Sequence, residues 1–483
     1  MTKEEFMRRV VAQLGFTPTA DQEQALRVLT QFMADRGHGS VMVMKGAAGT
    51  GKTSLAGAVI RTLSLVGQKL VLLAPTGRAA KVLSAYSGHR ALTIHRKIYR
   101  ERSFASGEGQ FLLQDNLHAD TLFLVDECSM IANQSSFENL FSANGGGYMF
   151  GSGRLLDDLV RYVYGGRNCR MWLIGDAAQL PPIGEEVSPA LDSAVLGGYG
   201  LQVYACDMTQ VLRQRQDSGI LYNATLVRQL LATGVEGLLP ALVAARFADI
   251  KMISGSDFVE QLENSYRQVG MEETMVVVRS NKQAIRYNMG IRNRVLDREE
   301  ELASGDWLMI AKNHYGAICG NKDTERPPFD FLANGDRCVV QRVRRQRTLY
   351  DFTFADVWLQ FPDYDNYEVQ TTVVIDSLYA EAHALSKEQE ETLRERVLED
   401  YADVPTKAER MRCLRDDVHY NALQVKFAYA VTCHKAQGGQ WEHVYVDQGY
   451  VLPEMMTADY YHWLYTAFTR ASSCLYIVNW PKQ

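Results

Sequence analysis

Hydrophobic residues in this chain fall into two alternating patterns, short continuous apolar runs and longer segments with helical spacing. In the first half, the runs at residues 40–45, 69–74, 121–125 and 171–174 read as buried strands. Each ends in polar residues, and helical spacing follows 40–45 and 69–74. Apolar strands alternating with helices describe a parallel α/β sheet, whose ligand sits at the carboxyl ends of the strands. Upstream, residues 4–37 read as helix around a turn at 15–22, with Thr19 or Asp21 as the cap. Residues 97–120 interrupt the sheet as a β-hairpin, its strands at 98–104 and 110–114. Residues 142–153 form a glycine-rich loop too long for a routine connection.

A second α/β pattern begins near residue 213. It has a strand at 275–279, a helix at 283–295, and strand-like runs at 425–431, 443–447 and 474–479. Between these parts, short strands at 307–310, 338–343, 349–354, 357–361 and 370–375 predict a small barrel. Ser386 and Gln389 then make a capping box for a charged helix. Its residues Leu393, Val397 and Tyr401 place one apolar stripe against something else. The predicted organisation is a first α/β domain over 1–212, a second formed by 213–305 and 420–483, and an insert of barrel and charged helix over 306–419.

A chain of 483 residues exceeds one core. Its 46% hydrophobic and 22% charged residues are those of a soluble globular protein. No apolar run is long enough to span a membrane, and no signal peptide is expected. The eight cysteines form no C-x-x-C pair, which argues against structural zinc or a disulfide scaffold and suits a reducing cytosol. A net charge of −6 gives no bulk sign of nucleic-acid binding, although phosphate contacts depend on a local basic track.

The strongest chemical signal follows the strand at 40–45. Gly46, Ala47, Ala48, Gly49, Thr50, Gly51, Lys52 and Thr53 fit the phosphate-loop pattern G-x-x-x-x-G-K-[ST]. Glycines let backbone N–H groups approach phosphate oxygens, and the next helix adds its positive N-terminal end. Lys52 is expected on the β- and γ-phosphates of a nucleoside triphosphate, and Thr53 on Mg²⁺. Asp126 and Glu127 end a strand of the same sheet, Asp126 suited to Mg²⁺ and Glu127 to activating water. Gln179 is placed to meet the γ-phosphate or the water, and Arg213 and Arg470 to put guanidinium groups on the γ-phosphate. The amide of Gln22 both donates and accepts, which matches adenine N6 and N7.

The ordered segments GAAGTGKT, APTGRAAK, TIHR, VDECSM, GDAAQLPPIG, VLRQ, AYAVTCHKAQGGQW and LYTAFTRA resemble the superfamily 1 DNA helicases, most closely the RecD-like and Dda-like branch that moves 5′→3′. The resemblance implies two tandem RecA-like domains, with a hairpin insert in the first and an SH3-like β-barrel plus helical insert in the second. It implies ATP in the cleft between them and single-stranded DNA across the top. By the same resemblance Gln22 lies on adenine, Gly438 joins the nucleotide site, and Gln179 couples the two ligands. Pro75, Thr76, Thr93, His95, Thr432 and His434 fall where the family touches DNA, and hydroxyl and imidazole groups at loop starts suit such sequence-independent contacts.

The hairpin takes the place of the family's strand-separating pin, where Phe104 or Phe111 is expected to stack on the last base pair or to pack on its own lobe. The basic run Arg342, Arg344, Arg345 and Arg347 reads as a backbone track or as a solvated strand face. The expected partners are single-stranded DNA and duplex junctions, met by a monomer at the nucleoid in the cytoplasm, with a single-stranded DNA-binding protein as a further partner and no membrane. Two other readings are an ATP-driven translocase that strips proteins from DNA without unwinding, and a slow ATP-switched loading module. The second of these is expected to lack the Glu127 and Arg470 pair.

Overall fold

The computed structural model describes residues 2–35, 37, 39–102, 110–134, 149–211, 217–314, 319–320 and 332–481. Ser40–Gly46 is buried along most of its length and lies parallel between Arg170–Gly175 and Gln202–Met208. Across the sheet follow Thr121–Val125, Lys69–Ala74 and Ala91–Thr93, all parallel. The first sheet therefore has six strands, two more than the apolar runs predict. Ala91–Thr93 is only three residues long, and Gln202–Met208 is an edge strand with polar and exposed positions, so neither reads as a continuous apolar run. Along Ser40–Gly46, Met42 and Met44 enter one core layer, while Val41 and Val43 enter the other. This two-sided burial is the reason the run is apolar at successive positions.

The N-terminal stretch forms Lys3–Leu14 and Ala20–Ala34, the second opened by a Thr19–Gln22 capping box. Tyr99–Arg102 and Gln110–Leu113 pair antiparallel as the hairpin, and Met149–Phe150 joins them as a third strand.

The second sheet is also parallel, in the order Ile250–Ile253, Ala471–Val478, Trp441–Asp447, Thr274–Val278 and Ala430–Thr432. Trp307–Ile310, Arg337–Leu349, Phe352–Phe361, Tyr367–Val374 and Leu423–Phe427 close into a five-stranded barrel, sealed where Val373 and Val374 pair with Leu423 and Gln424. Two strand predictions change here. The run 425–431 divides between the barrel and the second sheet, because Ala428 N–H bonds Trp307 C=O while Tyr429 C=O accepts from Val276. The predicted strand 349–354 straddles a tight hairpin turn, with Tyr350 at φ 55° and Asp351 at φ 65°.

Lys387–Asp400 carries the Ser386–Gln389 capping box. Its stripe of Leu393 and Val397 packs on Phe352 and Phe354 of the barrel and on Leu414 of Lys407–Asp416. The long basic strand exposes Arg342 and Arg344, which both stack near Trp358, whereas Arg347 pairs with Asp356 at 2.8 Å. Among the described residues, no helix is long and apolar enough to cross a membrane.

Candidate active site

The phosphate loop leaves Ser40–Gly46 at the carboxyl end of the first sheet and runs into Lys52–Leu65. Gly49 (φ +77°) and Gly51 (φ +82°) take left-handed backbone, and a Cβ on Gly49 would lie 2.6 Å from Leu221 of the second lobe. Gly51 offers no side-chain cap, so the first N–H groups of the helix point toward the loop. Lys52 Nζ donates to Gly46 C=O at 2.5 Å and Ala47 C=O at 3.0 Å, holding an ammonium over the loop. The side chain of Thr53 is exposed at the same helix end.

Two neighbouring strands bring acids to this loop. Asp126 Oδ2 accepts from the Tyr86 hydroxyl at 2.6 Å, and Oδ1 accepts from Glu127 N–H at 2.9 Å. Burial raises the Asp126 carboxyl above its usual range, opposed by Tyr86, the Glu127 amide and Lys52. Glu127 has φ +54°, a costly conformation for a residue with a side chain. Burial raises its carboxyl as well, and Arg470 is the largest opposing influence. Asp176 ends the strand Arg170–Gly175, and the buried Gln179 Oε1 has no hydrogen-bond partner among the described residues.

Arg470 comes from the other lobe. It is 2% exposed, and its guanidinium is held by Thr466 C=O, Gly439 C=O and Thr469 Oγ1. Lys52, Asp126, Glu127, Asp176 and Arg470 thus lie within electrostatic reach of one another, while Arg213 lies outside the described residues. The cleft fits a nucleotide with its metal. Lys52 holds an ammonium over the loop, Gln179 offers an orphaned acceptor, and Thr53 and Asp126 supply hard oxygen ligands. Among the described residues no cluster of three or more His, Cys, Asp or Glu could hold a metal by itself. Mg²⁺ is bound through one or two protein oxygens together with substrate phosphates, and Thr53 and Asp126 carry oxygens of that kind.

Three residues expected at ligands have other partners in the structure. Gln22 is 0% exposed, with Oε1 accepting from Thr19 N–H at 3.0 Å and Nε2 donating to Thr50 C=O at 3.2 Å. Its amide ties the helix cap to the phosphate loop. Gly438, expected at the nucleotide, abuts Thr76, Ala79 and Met130, and a Cβ there would meet Thr76 Oγ1 at 2.8 Å. Phe111 is 7% exposed and joins the first-lobe core with Ile98 and Tyr99, so of the two expected readings it packs on its own lobe. Phe104 lies outside the described residues.

The expected strand-contact residues sit at carboxyl ends of parallel strands in both lobes. Pro75 and Thr76 follow Lys69–Ala74, Thr93 and His95 lie at the end of Ala91–Thr93, and Thr432 and His434 at the end of Ala430–Thr432. Thr76 Oγ1 caps Ala79 N–H at 3.2 Å, and Thr93 Oγ1 caps Arg96 N–H at 3.3 Å. Burial depresses His95 to about 4, so its ring is neutral at pH 7 and not a cation for phosphate. Thr432 makes no side-chain cap bond, and His434 is exposed.

The sequence reading missed Tyr86, Asp176, His462, Thr466, Gln437 and Tyr465. Asp176 carried a usable signal, an acid directly after a buried strand, as at Asp126. Gln437, Tyr465 and Thr466 lie inside the segments AYAVTCHKAQGGQW and LYTAFTRA, but their contacts, like those of Tyr86 and His462, become visible only across the fold.

The AAA domain family matches residues 18–145, and the UvrD-like helicase C-terminal domain matches residues 427–478. The chain is similar to the ATP-dependent DNA helicase dda of Enterobacteria phage T4, 25% identical over 335 residues that cover 66% of each chain. It is also similar to the ATP-dependent RecD2 DNA helicase of Deinococcus radiodurans, 30% identical over 162 residues, 33% of this chain and 18% of that protein. These matches span less than two thirds of either relative. A solved Pif1 helicase from Bacteroides in complex with ADP-AlF3 and ssDNA superposes with a TM-score of 0.47 at 12% identity, covering 97% of this chain and 94% of that one.

Proposed function

We propose that this chain, a superfamily 1 helicase of the Dda-like and RecD-like branch, is an ATP-dependent DNA helicase that translocates 5′→3′ on single-stranded DNA and displaces the complementary strand at duplex junctions. The observation that carries this reading is the composition of the cleft. Arg470 of the second lobe sits within the electrostatic reach of Glu127, beside the phosphate loop of the first. Hydrolysis in such a cleft depends on both lobes, so the nucleotide cycle changes how the lobes meet.

In this scheme the phosphate loop and Lys52 bind the triphosphate, Glu127 takes the proton of the attacking water, and Arg470 stabilises charge on the transferred group. When bound, Mg²⁺ on Thr53 and Asp126 supplies charge neutralisation at the phosphates. Arg213 is proposed as the second γ-phosphate arginine. Thr76 and Thr93 on one lobe, and Thr432 and His434 on the other, lie at ends of parallel strands suited to alternate grip on a phosphate backbone.

The test is unwinding of partial duplexes that carry either a 5′ or a 3′ single-stranded tail, with ATP. Displacement from the 5′-tailed substrate is expected, with loss in Lys52→Ala and trapping of ATP by Glu127→Gln. Retained turnover by purified Lys52→Ala would remove this site assignment. The buried position of Phe111 keeps the protein-displacing translocase as a second reading, since it leaves Phe104 as the expected pin aromatic. Lost unwinding with intact DNA-stimulated ATPase in Phe104→Ala would favour the helicase.

A further inference from the structure

One face of the helix Ala458–Phe468 holds the loop that follows the strand Arg170–Gly175. His462, Tyr465 and Thr466 are spaced i, i+3 and i+4 and so lie together. His462 Nδ1 is 2.9 Å from Ala178 C=O, and Thr466 Oγ1 accepts from Leu180 N–H at 2.8 Å. Gln437 Nε2 donates to Leu180 C=O at 2.7 Å, so both backbone groups of Leu180 are held by the second lobe. The side chain of Leu180 is buried in the second-lobe core.

Tyr465 goes further, because its hydroxyl touches two parts of the first lobe at once. It accepts from Ala48 N–H of the phosphate loop at 2.8 Å and donates to Asp176 Oδ2 at 2.6 Å. A phenol has one proton to give. With Ala48 donating to the oxygen, that proton goes to Asp176, whose other oxygen accepts from Ala178 N–H at 3.0 Å. Tyr465 is 1% exposed, and burial next to Asp176 keeps the phenol protonated.

We infer that Tyr465 is a positioning residue for hydrolysis, which through one hydroxyl fixes the phosphate loop and the Asp176–Leu180 loop relative to the helix that leads into Arg470. Among the described residues, the hydrogen bonds of the Arg470 guanidinium go to its own lobe, at Thr466, Gly439 and Thr469. Its placement against Glu127 therefore rests on how the lobes dock, and the Tyr465 hydroxyl joins the lobes at the phosphate loop itself. This inference rests on the ATPase reading above and gives a part in that machinery to Tyr465, a residue of the segment LYTAFTRA to which the sequence reading assigned no role.

The test is Tyr465→Phe, which keeps the ring and its packing. With saturating single-stranded DNA, kcat for ATP hydrolysis is expected to fall on the order of tenfold, the usual weight of a hydrogen bond to a charged group, while KM for ATP stays within about twofold. In an Asp176→Ala background the same change is expected to cost less than in the parental protein, because one of the two bonds of the hydroxyl is already gone and only that from Ala48 is left to lose. Thermal unfolding of each variant separates loss of fold from loss of positioning. A Tyr465→Phe enzyme with near-parental kcat, a loss confined to KM, or fully additive losses in the double variant would overturn the proposal. Parental protein that hydrolyses no ATP with DNA would instead overturn the ATPase reading on which it rests.

Discussion

Arg78 and Trp441 stack across the boundary between the lobes, with the guanidinium carbon 4.5 Å from the ring centroid. Arg78 Nη2 also donates to Gln440 C=O at 2.5 Å. From the barrel, Arg337 reaches the same indole at 5.7 Å and Trp307 at 4.5 Å. One tryptophan therefore joins first lobe, second lobe and barrel. Arg78→Ala should lower the free energy of the first unfolding transition by about 1–3 kcal/mol, the sum of a cation–π contact and a hydrogen bond. Arg78→Lys should fall between the two, because an ammonium lacks the planar face. Equal urea midpoints for all three proteins would exclude this coupling.

Tyr86 acts on Asp126, the acid proposed to hold the metal. Its hydroxyl donates to Asp126 and so favours the ionised carboxylate that burial disfavours. Tyr86→Phe removes that donor and should raise the Asp126 pKa, moving the acid limb of the ATPase pH profile to higher pH. The Mg²⁺ concentration for half-maximal rate should rise on the order of tenfold, the weight of one charge-assisted hydrogen bond. An unmoved acid limb together with an unchanged Mg²⁺ requirement would count against it.

Asp336 couples the barrel to the first lobe and to pH. It accepts from Ala333 N–H at 2.8 Å and from the Tyr364 hydroxyl at 3.1 Å, and a Cβ on Gly77 of the first lobe would meet that hydroxyl at 2.6 Å. Burial raises its pKa to about 7, with Asp363 adding to the rise and the hydrogen bonds from Ala333 and Tyr364 opposing it. A carboxyl raised on folding binds its proton more tightly in the native state. Its contribution is complete below the unfolded value near 4 and is lost as pH rises through about 7. Asp336→Asn should therefore flatten the fall in stability over that window and unfold later than the parent at pH 8. Parallel stability–pH curves for the two proteins would show that Asp336 does not titrate there.

Phe111 should behave as a core residue. Phe111→Ala is expected to cost roughly 3–5 kcal/mol of stability, the usual penalty for removing a buried phenyl ring. Unwinding per folded molecule should stay near the parental rate. A stable Phe111→Ala protein that unwinds poorly would return this ring to the duplex junction.

Much of the cleft was legible from residue order alone, because its parts are local. A phosphate loop needs glycines, lysine and threonine at set spacing, and the acid pair directly follows a buried strand, so each announces itself within a few residues. The capping box at Ser386–Gln389 was legible for the same reason. The barrel was foreseen as a class, but its turn at Tyr350–Asp351 was not, since that pair has no glycine or asparagine to mark left-handed backbone. The division of residues 425–431 between two sheets was equally hidden, as both halves are apolar and differ only in which strand accepts their hydrogen bonds.

Sequence by itself determined that this chain has two parallel α/β units, a phosphate loop, an acid pair after a buried strand and an arginine late in the chain, because spacing and polarity within short windows specify each of them. Tertiary structure decided which of these meet. It put Arg470 within electrostatic reach of Glu127, tied the Gln22 amide to Thr50, set Gly438 against Thr76, and buried Phe111. It also brought Tyr465 to Ala48, 417 positions away in the chain. Partners so distant in the chain leave no local mark in residue order, and only the packing of two lobes against each other selects them.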